Sequence, residues 1–392
     1  MANPSLLRPA IVLGLMSLIG PFAMDMYLPA MPQIAADLAT TPQMVQGTIT
    51  FYLAAFGAAQ LIWGPMADQM GRKPPLYAAL AIFALGSVLA IFAPTAPILI
   101  AARMVQGLGA AALMVIPRAI VRDISRGADA TRLMALMMLV FSVSPMLAPL
   151  TGAGLSALFG WRAVFGALLI ATLAAWAMLH FAQKETHPPA ARIRATPSGM
   201  WAGAKVVLRD RAFVVLTALG AAGMTSFFLF LAAAPFVYTG FYGLSETQFA
   251  LAFAANAVAF IGSGQLAGRL GARFGAVSVM RGAGGLFAAA TAALFALTLI
   301  DAAPLAVFIG LLALGNAGLG LIIPTSMVMA LEDQGEHAGL ASSIGGTFQM
   351  LLGGAMTALA GGILSDQPAP LAGLIAAAAA VTLALAWVAK RA

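Results

Sequence analysis

Apolar runs of about 20 residues recur from one end of the chain to the other, separated by short clusters of charged and turn-forming residues. Each run is long enough to cross a bilayer as an α-helix. The strands of a membrane β-barrel would be shorter and would alternate in polarity. The pattern predicts twelve helices, over residues 8–37, 45–66, 75–94, 97–122, 131–155, 161–181, 212–238, 247–268, 275–299, 304–330, 337–363 and 371–389. The expected fold class is an all-α membrane protein. The first span is longer than a bilayer needs, which implies tilt or an extension beyond the lipid.

One stretch breaks the apolar pattern. In FAMDMYLPAMP, residues 22–32, Asp25 stands among apolar residues, with Pro21, Pro29 and Pro32 around it. Proline frees backbone carbonyls and bends a membrane helix, which is tolerable where neighbours or a wet cavity satisfy them. The spacing predicts a kink near Asp25; the alternative is that Pro32 simply ends the helix.

Composition agrees with a membrane chain: 62% of its 392 residues are hydrophobic and 8% charged, against roughly 25% charge in soluble domains. The first span carries Asp25 and prolines and lacks a small-residue cleavage site, so it reads as a retained helix and not a signal peptide. There is no cysteine, which excludes disulfides and cysteine-based metal or redox chemistry. His180, His187 and His337 have no metal-ligand spacing, and no cofactor is expected. All of the 20 basic residues except Arg103 and Arg162 fall on one side if the N-terminus is cytoplasmic. That asymmetry predicts both termini inside. It also accounts for the net charge of +7 through inner loops near anionic lipid, without nucleic acid as a partner.

The longest polar stretch, residues 182–211, falls at mid-chain and reads as a cytoplasmic linker too poor in apolar residues to fold alone. It divides the chain into a six-helix bundle over 1–181 and another over 212–392. A weak repeat supports the halving: GPMADQMGRKP (64–74) and GQLAGRLGARF (264–274) align without a gap, with Gly64, Ala67, Gly71 and Lys73 against Gly264, Ala267, Gly271 and Arg273. Paired halves with a midplane site are common among secondary transporters.

Asp25 and Arg103 are the intramembrane charges. A lone ionised side chain in hydrocarbon is costly, so each should face the protein interior and have a partner. Asp25 is 17 residues from Arg8 and Arg103 is 19 from Arg122, so both lie roughly 26–28 Å from the inner side. They can meet if their helices face one cavity. Desolvation favours the neutral acid and a nearby guanidinium favours the carboxylate, so moving Arg103 or admitting a substrate would shift the proton balance. The alternative is a silent ion pair tying two helices together. Gln106, one turn after Arg103, is expected to satisfy spare hydrogen-bonding capacity.

Several motifs point to a family. GPMADQMGRKP resembles the loop 2–3 signature of the major facilitator superfamily. RMVQGLGAA (103–111) resembles the helix-four signature of its proton-linked members. SPMLAPLTGAGL (144–155) partly matches the helix-five antiporter signature. With DMYLPAMP and PRAIVRD (117–123), the layout resembles the Bcr/CflA branch of drug:proton antiporters. The resemblance implies two pseudo-symmetric six-helix bundles and a monomer in the bacterial inner membrane. It also implies a cytoplasmic gate of Asp68, Gly71, Arg72, Lys73 and Asp123. Gln69 stands where the family often has a basic residue, and Arg72 and Lys73 serve equally as topology signals.

The implied activity is export of drug-like small molecules, antibiotics among them, in exchange for protons. Candidate substrate contacts are Met24, Asp25, Tyr27, Arg103, Met114 and Met146 in the first half, and Phe227, Phe228, Asn256 and Asn316 in the second. Methionine and aromatic side chains suit adaptable binding of apolar molecules. Export of a cell metabolite such as an amino acid or sugar stays open, although the mostly apolar helices seven to ten favour apolar cargo. An ATP-driven pump or a membrane enzyme is disfavoured. No G-x-x-x-x-G-K-[ST] loop occurs, and no paired carboxylates or nucleophile–base set appear.

Overall fold

The computed structural model describes residues 4–125, 127–192 and 197–389, and the statements below concern these. Arg126, Arg194, Lys390 and Arg391, used above to assign sides, lie outside the described residues, as do the side chains of Arg8 and Arg132. No strand occurs among the described residues.

The chain forms two units, residues 1–197 and 198–392. The first holds α1 (Pro4–Asp25), α2 (Met31–Asp37), α3 (Pro42–Met70), α4 (Lys73–Ile91), α5 (Ala96–Ile124), α6 (Gly127–Phe159) and α7 (Arg162–Phe181). After α8 (Pro197–Arg209), the second holds α9 (Arg211–Phe236), α10 (Glu246–Phe274), α11 (Ala276–Leu299), α12 (Leu305–Leu331), α13 (Ala338–Ala360) and α14 (Pro368–Val388). With α1 and α2 as parts of one span, ten helices among the described residues are long and apolar enough to cross a membrane. The other two of the twelve expected helices are α6, which contributes the apolar stretch Val143–Phe159, and α13, diluted by Ser342, Ser343, Thr347 and Gln349.

Helix starts are marked by side chains that take up orphan N–H groups. Thr41 accepts from Met44 N at the start of α3. Asp210 accepts from the amides of Ala212 and Phe213 at α9, and Ser245 forms a capping box with Gln248 at α10. Within each unit the same neighbours pack. In the first, α5 lies against α3 and α4, α1 against α6, and α4 against α7. In the second, α12 lies against α10 and α11, α9 against α13, and α11 against α14. Buried aromatic residues fill both cores: Tyr27, Tyr52, Phe83, Trp161 and Phe165 in one, Phe213, Phe228, Tyr238, Phe249, Phe253 and Phe287 in the other.

Two sequence expectations need correction. The repeat register is one: α3 stops at Met70, with Gly71 at φ 93° and Pro74 and Pro75 just beyond. The second copy lacks those prolines. Accordingly α10 runs through Gly271 to Phe274, and Gly275, at φ 83°, is the structural counterpart of Gly71. The linker is the other. It is more than a polar tether, because it carries a 3₁₀ turn at Pro189–Ala191 and the 13-residue α8.

Candidate proton and gating sites

The proline spacing breaks the first span where Asp25 sits. Pro29 has no N–H to give the carbonyl of Asp25, and Pro32 has none for Leu28. Accordingly α1 ends at Asp25, Leu28–Ala30 form a 3₁₀ turn, and α2 starts at Met31. Asp25 is 4% exposed. The break is held from outside by α6: a methyl group on Gly152 would overlap the backbone carbonyl of Met26. Glycine therefore admits α6 to the turn beside Asp25, whereas Gly154 of the same signature faces open space.

Arg103, on α5, is fully buried. Its guanidinium lies 4.4 Å from the ring centres of both Tyr27 and Tyr52 and 6.0 Å from that of Phe165. Cations over aromatic faces are attracted by the ring quadrupole. Nη1 donates to Gln106 Oε1 at 2.7 Å, and Gln106 Nε2 donates to Ser87 Oγ at 2.9 Å. Gln106 thus has the role expected of it. The Tyr27 hydroxyl pairs with that of Thr48 (3.0 Å), and Tyr52 donates to the Gly20 carbonyl (2.9 Å). Arg103 Nε and Nη2 have no hydrogen-bond partner. Asp25 and Arg103 form no ion pair, since the ion pairs among the described residues are both made by Arg72. The chain leaves helical geometry at Asp25, and the residue that reaches Arg103 is Tyr27.

The loop between α3 and α4 forms a second polar cluster. Arg72 Nε and Nη2 donate to the two carboxylate oxygens of Asp123 (2.7 and 3.1 Å), and Nη1 donates to Asp68 (2.6 Å). The start of the linker closes over this loop. The Glu185 carboxylate accepts from the backbone amides of Arg72, Lys73, Thr186 and His187 at 2.9–3.0 Å. Lys73 Nζ donates to the Gln183 carbonyl (2.8 Å), and Thr186 Oγ1 donates to Asp123 (3.0 Å). His187 Nε2 lies 3.2 Å from the Asp68 carbonyl. A methyl group on Gly71 would come within 2.8 Å of Glu185 and Arg192.

Arg72 has no side-chain cap of its own to offer α4, so Glu185 caps that helix from 113 residues away. Partial burial pushes the Glu185 carboxyl up, but the four amide donors outweigh it and hold it below the usual glutamate range. For Arg72, burial acts downward, and the bonds to Asp123 and Asp68 outweigh it to raise its value.

In the second unit, Asn316 Nδ2 donates to Asn256 Oδ1 (3.1 Å), and Asn256 Nδ2 donates to the Ala252 carbonyl (3.0 Å). Phe227 stacks on Phe260 with ring centres 6.1 Å apart, and beside it Phe228 is buried. In the first unit Met24 and Met114 are half-buried, while Met146 is 37% exposed. Sequence reasoning missed Tyr52 and Phe165 around Arg103, and Glu185 and Thr186 at the loop. The pair Glu185-Thr186 at the start of the linker was the available signal.

The sequence profile of the Major Facilitator Superfamily matches residues 13–358. The chain belongs to the Major Facilitator Superfamily. It is therefore a multi-pass membrane transporter and not an enzyme. It is 34% identical over 362 residues to an uncharacterized MFS-type transporter of Bacillus subtilis (strain 168), covering 90% of this chain and 88% of that one. A bicyclomycin resistance protein homolog of Haemophilus influenzae is 29% identical, over 92% and 90% of the two chains. A chloramphenicol resistance protein of Pseudomonas aeruginosa is 32% identical, over 73% and 68%. In fold, the human organic anion transporter MFSD10 matches with a TM-score of 0.71 at 17% identity, over 99% of this chain and 100% of that one.

Proposed function

We propose that this transporter exports small amphipathic and aromatic compounds, antibiotics among them, in exchange for protons. The observation that carries the coupling is a buried carboxylate, Asp25, at a helix break in the same unit as an arginine, Arg103, with two guanidinium nitrogens, Nε and Nη2, that lack a hydrogen-bond partner. Asp25 carries the proton. Arg103 can change partners, because one amide, Gln106, and an aromatic cage hold it and no carboxylate does. Cargo bound near Arg103 and a proton on Asp25 are then mutually unfavourable, and that antagonism is what an exchanger needs. The drug-resistance relatives support antibiotic-like cargo.

The remaining assignments follow the same reading. Residues 1–181 and 212–392 work as two bundles joined by the 182–211 linker, and the transporter works by alternating access. Met24, Tyr27, Met114 and Met146 are the cargo contacts of the first bundle, and Phe227, Phe228, Asn256 and Asn316 are those of the second. Asp68, Gly71, Arg72, Lys73 and Asp123 latch the cytoplasmic side. The transporter acts as a monomer in the inner membrane with both termini cytoplasmic.

The test uses proteoliposomes holding an imposed pH gradient, with chloramphenicol and bicyclomycin as first cargoes. Drug addition should trigger proton movement in the wild type and none in Asp25→Asn. Full coupling in Asp25→Asn would make Asp25 structural, and a wild type that moves no protons with any drug would end the antiport reading.

A further inference from the structure

The linker helix α8 has one face turned into the second unit and one turned away. Gly203 and Val207 are buried, and a methyl group on Gly203 would come within 2.9 Å of Leu340 and 3.6 Å of His337. Trp201, Lys205, Leu208 and Arg209 stand at i, i+4, i+7 and i+8, on the other side of the helix. Trp201 is 61% exposed and Leu208 51%, large apolar side chains beside two exposed cations. The Lys205 ammonium lies 5.5 Å from the Trp201 ring centre. Among the described residues the ion pairs are those of Arg72, so neither Lys205 nor Arg209 has a carboxylate partner.

The chain fixes where this face lies. Only Asp210 separates α8 from α9, a helix long and apolar enough to span the membrane. Asp210 is locked at that joint: it accepts from the amides of Ala212 and Phe213 and from Gln334 Nε2 at 2.6 Å. Arg209 therefore sits at the edge of a span, and α8 ends within one residue of it. Trp prefers the membrane–water interface, and a basic face beside apolar side chains is the pattern of helices lying in the headgroup region.

We infer that α8 is an in-plane helix that docks on anionic phospholipid of the bilayer, with Trp201 and Leu208 entering the acyl boundary and Lys205 and Arg209 holding the headgroups. Docking would pin the end of the linker at the membrane and couple the linker's position to the lipid composition.

The chain has no cysteine, so Leu208→Cys gives a single labelling site in the full protein. A nitroxide there is followed by collision with oxygen, which enters lipid, and with a water-soluble nickel chelate, which does not. In vesicles rich in phosphatidylglycerol the label should be reached by oxygen and shielded from nickel, and less so in phosphatidylcholine alone. The double variant Lys205→Gln/Arg209→Gln should lose roughly 30-fold of the preference for the docked state in anionic vesicles, at about five-fold for each basic residue near such a surface. A label equally open to nickel in both lipids would overturn the docking. Shielding indifferent to lipid charge and to the double variant would overturn the role of anionic lipid. Spin–spin broadening that grows with protein concentration in neutral detergent would assign this face to a second copy of the chain and overturn the inference.

Discussion

Glu185→Ala removes one carboxylate and strands four backbone N–H groups, those of Arg72, Lys73, Thr186 and His187. Two of them open α4, so the loss resembles removal of a helix cap, at ~1 kcal/mol. A charged acceptor adds to that, with bonds to ionised groups typically contributing ~1.5–3 kcal/mol. Glu185 is solvent-exposed, so screening pulls the combined effect back to about 1–2 kcal/mol. The contacts of Lys73 with Gln183 and of Thr186 with Asp123 remain and hold part of the segment in place.

At 1.4 kcal/mol per factor of ten, this corresponds to roughly 5–30-fold less protection of those four amides. Hydrogen exchange with site resolution on the purified transporter reads it directly. Acid gives a second handle on the wild type. The folded carboxyl titrates lower than the free side chain, so its contribution is complete above about pH 4.3 and is lost as pH falls through the lower folded value. Unchanged exchange in Glu185→Ala at neutral pH would refute the capping role and leave the other linker contacts as what holds the segment.

Three further outcomes follow from the packing. Gly152→Ala forces a methyl group into the Met26 carbonyl and should cost ~1–3 kcal/mol with a lowered Tm, while Gly154→Ala, facing open space inside α6, should leave Tm unchanged or raise it slightly. Asn316→Ala deprives buried Asn256 of its donor at Oδ1 and should destabilise the protein by ~1–3 kcal/mol in thermal unfolding. Arg72→Lys keeps the charge but cannot make the two-pronged bond to Asp123, so the 183–187 amides should exchange faster although net charge is unchanged.

The helices were legible because membrane spans impose a length and a hydropathy that no packing detail can hide. The break at Asp25 was legible for a local reason too, since Pro29 and Pro32 remove specific donors. Depth along a helix can be counted too, and the count led to the expectation that Asp25 and Arg103 meet, whereas they form no ion pair. Which side chain turns toward Arg103 depends on the chain's direction after it leaves helical geometry, and counting residues does not give that. Tyr52 was invisible for a different reason: nothing in an apolar α3 marks that its one tyrosine faces a cation. Glu185 was missed because a single acid in a polar linker looks solvated. Its role exists only once Gly71 turns the chain and exposes the first amides of α4. The repeat register slipped because motif identity and helix end are set by different residues, glycines in one case and Pro74 and Pro75 in the other.

Proton release on cargo binding tests the exchange mechanism most directly. Chloramphenicol or bicyclomycin is titrated into the purified transporter in weakly buffered solution with a pH indicator. The account predicts that the wild type gives up protons as drug binds, and that Asp25→Asn binds drug without releasing any. Drug binding with no proton release by the wild type, or equal release by Asp25→Asn, would contradict it.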